Sequence, residues 1–219
     1  VAESLTLSPN EEIFIDAISS FGLYEINAKR KEIDYLIGSP NKCLEGIPGF
    51  CFIFVKKDIL RHENQIPKSF ALDLLGQFRE AERSGQFRFT PPVQSILVLR
   101  KALKAYFEEG GLQARFNRYQ NVQRLITDKM KKMGFETIVR KEDQSVLITS
   151  FQFPSLKRFN FEEFYNFLSE RGTVIYYGKT EHVNSFRIGH IGQISNKDVD
   201  LLINNIKSYL DKFGSNHEI

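Results

Sequence analysis

The stretch Ile13-Phe14-Ile15-Asp16-Ala17-Ile18-Ser19-Ser20-Phe21-Gly22 carries the first decision about the fold. Three apolar residues end abruptly in a carboxylate, followed by small polar residues and a glycine. That order predicts a short buried strand running into a polar loop. The pattern recurs in Ile33-Asp34-Tyr35-Leu36-Ile37-Gly38, which leads into Ser39-Pro40-Asn41-Lys42. A third run, Phe50-Cys51-Phe52-Ile53-Phe54-Val55, is apolar on both faces and predicts an internal strand of a covered sheet. The turn segment Gly46-Ile47-Pro48-Gly49 precedes it.

Helical periodicity then takes over. Ser69 to Ser84 places Phe70, Leu74, Leu75 and Phe78 at helical spacing. Pro91 to Glu109 reads as a second helix, with proline at its front and Gly110-Gly111 at its end. Leu112 to Met133 aligns Phe116, Tyr119, Val122, Ile126, Met130 and Met133 on one stripe, a core face rather than a ligand site. The last third changes rhythm. Strands are expected at Glu136–Val139, Val146–Phe151, Thr173–Tyr177 and Ser185–Gly189, with helices at Phe161–Arg171 and at Asn196–Phe213 behind Ser195 as cap. This predicts a small α+β domain with a largely antiparallel sheet over residues 112–219, behind an α/β portion over residues 1–111.

Composition narrows the function classes. Of 219 residues, 42% are hydrophobic and 26% charged, values of an ordinary globular chain, and 20 Phe with no Trp leave aromatic packing to Phe and Tyr. The net charge is only +3, with no basic block beyond Lys29-Arg30-Lys31, so nucleic-acid binding has no electrostatic support. No apolar run approaches the roughly 20 residues of a membrane span, and no signal peptide opens the chain. The reading is a cytoplasmic protein in which Cys43 and Cys51 form a reduced pair in preference to a disulfide. His62, His182, His190 and His217 share no metal-ligand spacing, so no metal site is expected. The start Val1-Ala2-Glu3 suggests a piece of a longer polypeptide.

Asp16 and Lys42 are the candidate chemical pair. An aspartate after a strand is often only a loop cap, and a lone loop lysine is usually a solvated charge. Together, at the ends of neighbouring strands and flanked by small residues, they are more specific. A lysine amine can form a Schiff base with an aldehyde. A carboxylate facing a pyridine nitrogen keeps it protonated, so that the ring accepts the electrons left when a substrate loses its Cα proton.

Four ordered segments give that pair a context. They are the Phe14–Gly22 run, Asn41-Lys42-Cys43-Leu44-Glu45-Gly46-Ile47-Pro48-Gly49-Phe50, Arg88-Phe89-Thr90-Pro91, and Phe186-Arg187-Ile188-Gly189-His190-Ile191-Gly192. Gly110-Gly111 with Arg115, and Val174-Ile175-Tyr176 with Gly178-Lys179, agree as well. In these the chain resembles the class V aminotransferases that depend on pyridoxal 5′-phosphate (PLP), most like those acting on 2-aminoethylphosphonate and pyruvate. The resemblance implies the C-terminal part of a fold type I PLP-dependent transferase: an incomplete large-domain sheet plus a small α+β C-terminal domain. It implies that Lys42 holds PLP and shuttles a proton, that Asp16 pairs with the pyridinium nitrogen, and that Ile18 packs on the ring. Asn41 approaches the phosphate, and Thr90 reaches the phosphate bound by the partner subunit of a homodimer. Arg187 clamps the substrate carboxylate. From sequence alone Thr90 is equally a helix cap before Pro91, and Arg187 a surface arginine. Pro40, Cys51, Tyr177 and His190 stand where the family usually has Ala, Gly, Pro and Asn.

The resemblance also implies that the family's N-terminal part, with its phosphate-cradling helix and most of its strands, is missing. These residues alone are therefore expected to bind PLP poorly and to show little activity. An alanine- or serine–glyoxylate-type aminotransferase remains an alternative, as does a non-catalytic dimerisation segment of a longer, even bifunctional, protein with a fused nucleotidyltransferase.

Overall fold

A computed structural model describes residues 11–27, 32–62, 67–156, 159–178 and 183–213. Lys29, Arg30, Lys31, Lys179, His182, His217 and the Val1-Ala2-Glu3 start lie outside them, as does the side chain of His62. The chain forms two compact units, Val1–Leu112 and Gln113–Ile219.

The first unit holds strands β1 (Phe14–Asp16), β2 (Tyr35–Gly38) and β3 (Phe52–Val55) in the order β1-β2-β3. β1 pairs parallel with β2, Asp16 facing Ile37, and β2 pairs antiparallel with β3. Ala17, Ile33 and Leu36 are buried together, with Ile15, Phe21 and Ile26 packed on them. The third strand is not internal among the described residues: it stands at the end of the order, and Phe54 is 49% exposed. Among the described residues β2, with a neighbour on each side, is the buried strand. The first strand is likewise only partly buried, since Phe14 is exposed and stacks on Tyr35 at 3.9 Å. At the opposite end from Asp16, Asp34 accepts from Ile13 N–H at 2.8 Å and Lys56 Nζ at 2.6 Å, tying all three strands. Burial pushes that carboxyl up, but these two hydrogen bonds and the Lys56 charge outweigh it and hold its pKa below the usual carboxylate range.

Helices α1 (Lys57–His62), α2 (Leu74–Ser84) and α3 (Val93–Glu109) follow. The sequence pattern did not reveal α1. It also placed the start of α2 at Ser69, five residues early. Asp73 sets the true start: its Oδ1 accepts from Gly76 N–H at 2.8 Å, leaving Phe70 outside the helix and exposed. α3 starts at Val93, with Pro92 as its N-cap.

The second unit takes most of α4 (Gly111–Lys132), then β4 (Ile148–Gln152), α5 (Phe161–Ser169), β5 (Tyr176–Tyr177), β6 (Ser185–Gly189) and α6 (Asn196–Phe213). Its sheet is antiparallel throughout, in the order β4-β6-β5. The expected strand at Glu136–Val139 shrinks to a single bridge, Thr137 with Phe151, because Gln144 Nε2 takes Val139 O and Thr137 Oγ1. The strand expected from Thr173 begins only at Tyr176. Thr173 is held toward the helices, donating to Leu168 O and accepting from Asn205 Nδ2. Val122, Ile126 and Met130 of α4 meet Phe151, Phe164, Phe186, Ile206 and Tyr209 in one core. Ser195 caps α6, with Asp198 bonding back to Ser195 N–H at 2.8 Å.

Two buried side-chain polar atoms, Thr149 Oγ1 and His190 Nε2, have no hydrogen-bond partner among the described residues. His190 is fully buried after β6 and its Nδ1 lies 3.3 Å from Val146 O, while Nε2 has no partner among the described residues. Burial pushes its pKa down to about 4, against the partial opposition of the Val146 contact. Between about pH 6.5 and 4 the unfolded chain therefore binds a proton that the folded chain refuses, so stability rises with pH across that window. The unfolding free energy from urea titrations should fall as pH is lowered through it, by up to roughly 3 kcal/mol, and His190→Asn should flatten the slope.

Candidate active site

Parallel pairing brings the carboxyl ends of β1 and β2 to the same side of the first unit, where ligands of α/β sheets bind. Ala17 N–H continues the pairing to Ile37 O at 2.9 Å, so the loops leaving Asp16 and Gly38 begin side by side. Cys43 then ties them directly: its Sγ donates to Ser19 O at 3.1 Å. Gly22 closes the first loop at φ 85°, and a Cβ there would lie 2.6 Å from Leu44 Cδ2. Gly46 N–H bonds Pro40 O at 2.7 Å and Glu45 N–H bonds Lys42 O at 2.9 Å, which curls the second loop around Lys42.

Within this frame Asp16 is exposed at its strand end. Its Oδ1 accepts from Ile18 N–H at 2.9 Å, which fixes the carboxylate and leaves Oδ2 without a partner among the described residues. Ile18 is half-buried in the same turn. Lys42 is half-buried, and its amine has no hydrogen bond or ion pair among the described residues. Asn41 is occupied locally, its Oδ1 taking a hydrogen bond from Ser39 Oγ. A fixed carboxylate and a half-buried unpaired amine on adjoining loops form a donor set that suits a pyridine aldehyde.

Thr90 belongs to the same unit but to another segment. It is exposed, and it does not cap α3, because Pro92 occupies the N-cap with no side-chain hydrogen bond. Arg187 is in the second unit, on β6, facing Ser150 of β4 and Tyr176 of β5. Its Nε donates to Tyr177 O at 3.0 Å, so the hairpin aims the guanidinium and the two terminal nitrogens have no partner among the described residues. Gly178 permits this, since a Cβ there would strike Ser185. Sequence reasoning missed the Cys43–Ser19 tie, which has no local signature across 24 residues. It also missed Asp73, although an aspartate immediately before an apolar helical run is a capping signal.

Comparison with known proteins places this architecture. A structure of pyridoxamine–pyruvate aminotransferase from Mesorhizobium loti matches 93% of the chain at a TM-score of 0.79 and 23% identity, the chain covering 53% of it. Ureidoglycine–glyoxylate aminotransferase from Bacillus subtilis matches 93% at 0.77 and 21%, again with 53% of that protein covered. The chain therefore shares the fold of about half the length of these proteins. Residues 9–189 match the model of the class-V aminotransferases, and the chain belongs to that family. A PLP-bound phosphoserine aminotransferase from Trichomonas vaginalis shares the fold, matching 93% of the chain at a TM-score of 0.69 and 19% identity. A 2-aminoethylphosphonate–pyruvate transaminase from Bacillus cereus is 42% identical over 193 residues, and one from Lysinibacillus sphaericus 39% over 201. These alignments take in 88% and 92% of the chain but 53% and 55% of the relatives, so the chain spans about half their length. No helix among the described residues is long and apolar enough to cross a membrane.

The strained turn gives a direct test of the frame. Gly22→Ala should destabilise the first unit by about 1–3 kcal/mol, combining a positive φ with a clash. The expected readout is a lower urea midpoint.

Proposed function

We propose that the protein to which this chain belongs transfers the amino group of 2-aminoethylphosphonate to pyruvate, giving phosphonoacetaldehyde and alanine. The observation that carries this reading is 42% identity over 193 residues to a transaminase of that name. The geometry at Asp16 and Lys42 supports the cofactor half of it. When bound, PLP supplies an aldehyde to hold the amine and a ring to take up the electrons of the broken Cα–H bond.

The remaining roles fall to this chain's own residues. Lys42 would hold the cofactor through its Nζ and would move the proton at the substrate carbon. Asp16 offers its unpaired Oδ2 to the pyridine N–H, with Oδ1 held by Ile18 N–H so that the carboxylate does not turn away. Ile18 would pack on the ring and Asn41 would help hold the phosphate. Arg187 presents its terminal nitrogens to the carboxylate of pyruvate or alanine, a two-point contact that lysine does not reproduce. Thr90 donates to the phosphate bound by a second copy, making the working form a homodimer. Domains follow the same reading, with residues 1–111 belonging to the cofactor-binding domain and 112–219 to the smaller one. The buried, reduced Cys43 supports a cytoplasmic setting.

In the full-length protein Lys42→Ala should abolish the visible absorbance band of bound cofactor and lower turnover by about 10³-fold or more. Arg187→Lys should raise KM for pyruvate more than it lowers kcat. A donor panel tests the substrate: turnover of alanine with glyoxylate, and none of 2-aminoethylphosphonate, would overturn the assignment.

A further inference from the structure

Between α2 and α3 the chain passes through Gly85-Gln86-Phe87-Arg88-Phe89-Thr90 before reaching Pro91-Pro92. A charged residue in such a loop is ordinarily solvated. Arg88 is not: its side chain is 20% exposed, and Nη1 donates at 2.6 Å to Oδ2 of Asp73, itself 12% exposed. The other oxygen of Asp73 caps α2 through Gly76 N–H. One carboxylate thus starts a helix and anchors the loop leaving its far end, and the Gly76 and Arg88 hydrogen bonds hold its pKa below the usual range. Gly76 makes room for this, because a Cβ there would strike both Arg88 Nη1 and Asp73 Oδ2. Aromatic faces complete the clamp. Arg88 Cζ lies 4.3 Å from the Phe70 ring centre and 5.4 Å from that of Phe89, and the two rings meet edge-on at 5.4 Å.

The clamp sits immediately before Thr90. On the other side of that residue stand two prolines, which fix φ and bring no N–H. The Thr90 hydroxyl is therefore the side-chain donor of a short segment restrained at both ends. It is exposed and has no partner among the described residues.

We propose that Asp73 and Arg88 are positioning residues whose ion pair, braced by Phe70 and Phe89, presents the Thr90 hydroxyl to the cofactor phosphate held by a second copy of the chain. This rests on Thr90 being a phosphate contact. The clamp acts by orientation and leaves the chemistry at Lys42 unchanged.

The test uses full-length apoprotein titrated with PLP and, separately, with pyridoxal, which lacks the phosphate. Thr90→Val, Arg88→Met and Asp73→Asn should each weaken PLP binding by about tenfold and leave pyridoxal affinity unaltered. Asparagine keeps an oxygen for Gly76 N–H, so Asp73→Asn removes the clamp but not the cap, and it serves if Arg88→Met does not fold. The double variant Thr90→Val/Arg88→Met should bind PLP no more weakly than Thr90→Val alone, because both act through one hydroxyl. If Thr90→Val weakens PLP binding while the clamp variants do not, or if the losses multiply in the double variant, positioning is refuted and the role of Thr90 survives. If Thr90→Val binds PLP like the parent protein, the phosphate contact and the clamp's purpose fall together.

Discussion

The candidate site depends on the parallel pairing of two very short strands. With Asp16 opposite Ile37, the chain leaves both strands in the same direction, and two polar loops start as neighbours. Three and four residues are little pairing by themselves. Contacts beyond the strands make up the difference: Asp34 gathers Ile13 and Lys56 at one end, and the Cys43 thiol holds the Ser19 carbonyl at the other. The sheet is fastened at both ends, so the positions of the carboxylate and the amine depend on few degrees of freedom.

In each unit, one charged side chain is oriented by a backbone group. The Ile18 amide fixes one oxygen of Asp16 and leaves the other available. The Tyr177 carbonyl takes the inner nitrogen of Arg187 and leaves the outer fork. In both cases a backbone group orients a side chain without neutralising it. The contact that aims each group leaves its remaining polar atoms without a partner among the described residues.

Much of this was legible in the sequence, for physical reasons. Helices α3 and α4 and the closing helix α6 were found because an apolar stripe of 17 or more residues leaves little ambiguity. β6 was found because its flanks are polar or glycine. The start of α2 was misread because Phe70 has the same spacing from Leu74 as a helical neighbour, although the Asp73 cap excludes it and its ring covers Arg88 instead. That β3 ends the three-strand order among the described residues was not legible, since pairing partners leave no mark on a run of Phe and Ile. At the site, the residue types and their order were readable from motif. The ties that position them, Cys43 with Ser19 and Arg88 with Asp73, join residues 24 and 15 apart and appear only once the chain has folded.

The two cysteines differ in a way that bears on how the loops move. Cys51 is exposed, whereas Cys43 is sealed at the junction of the strand-end loops with its sulfur committed to a carbonyl. An alkylating reagent meets the first thiol directly and the second only when the junction parts. Their modification runs on two clocks: one set by sulfur reactivity, the other by how often the strand-end loops separate.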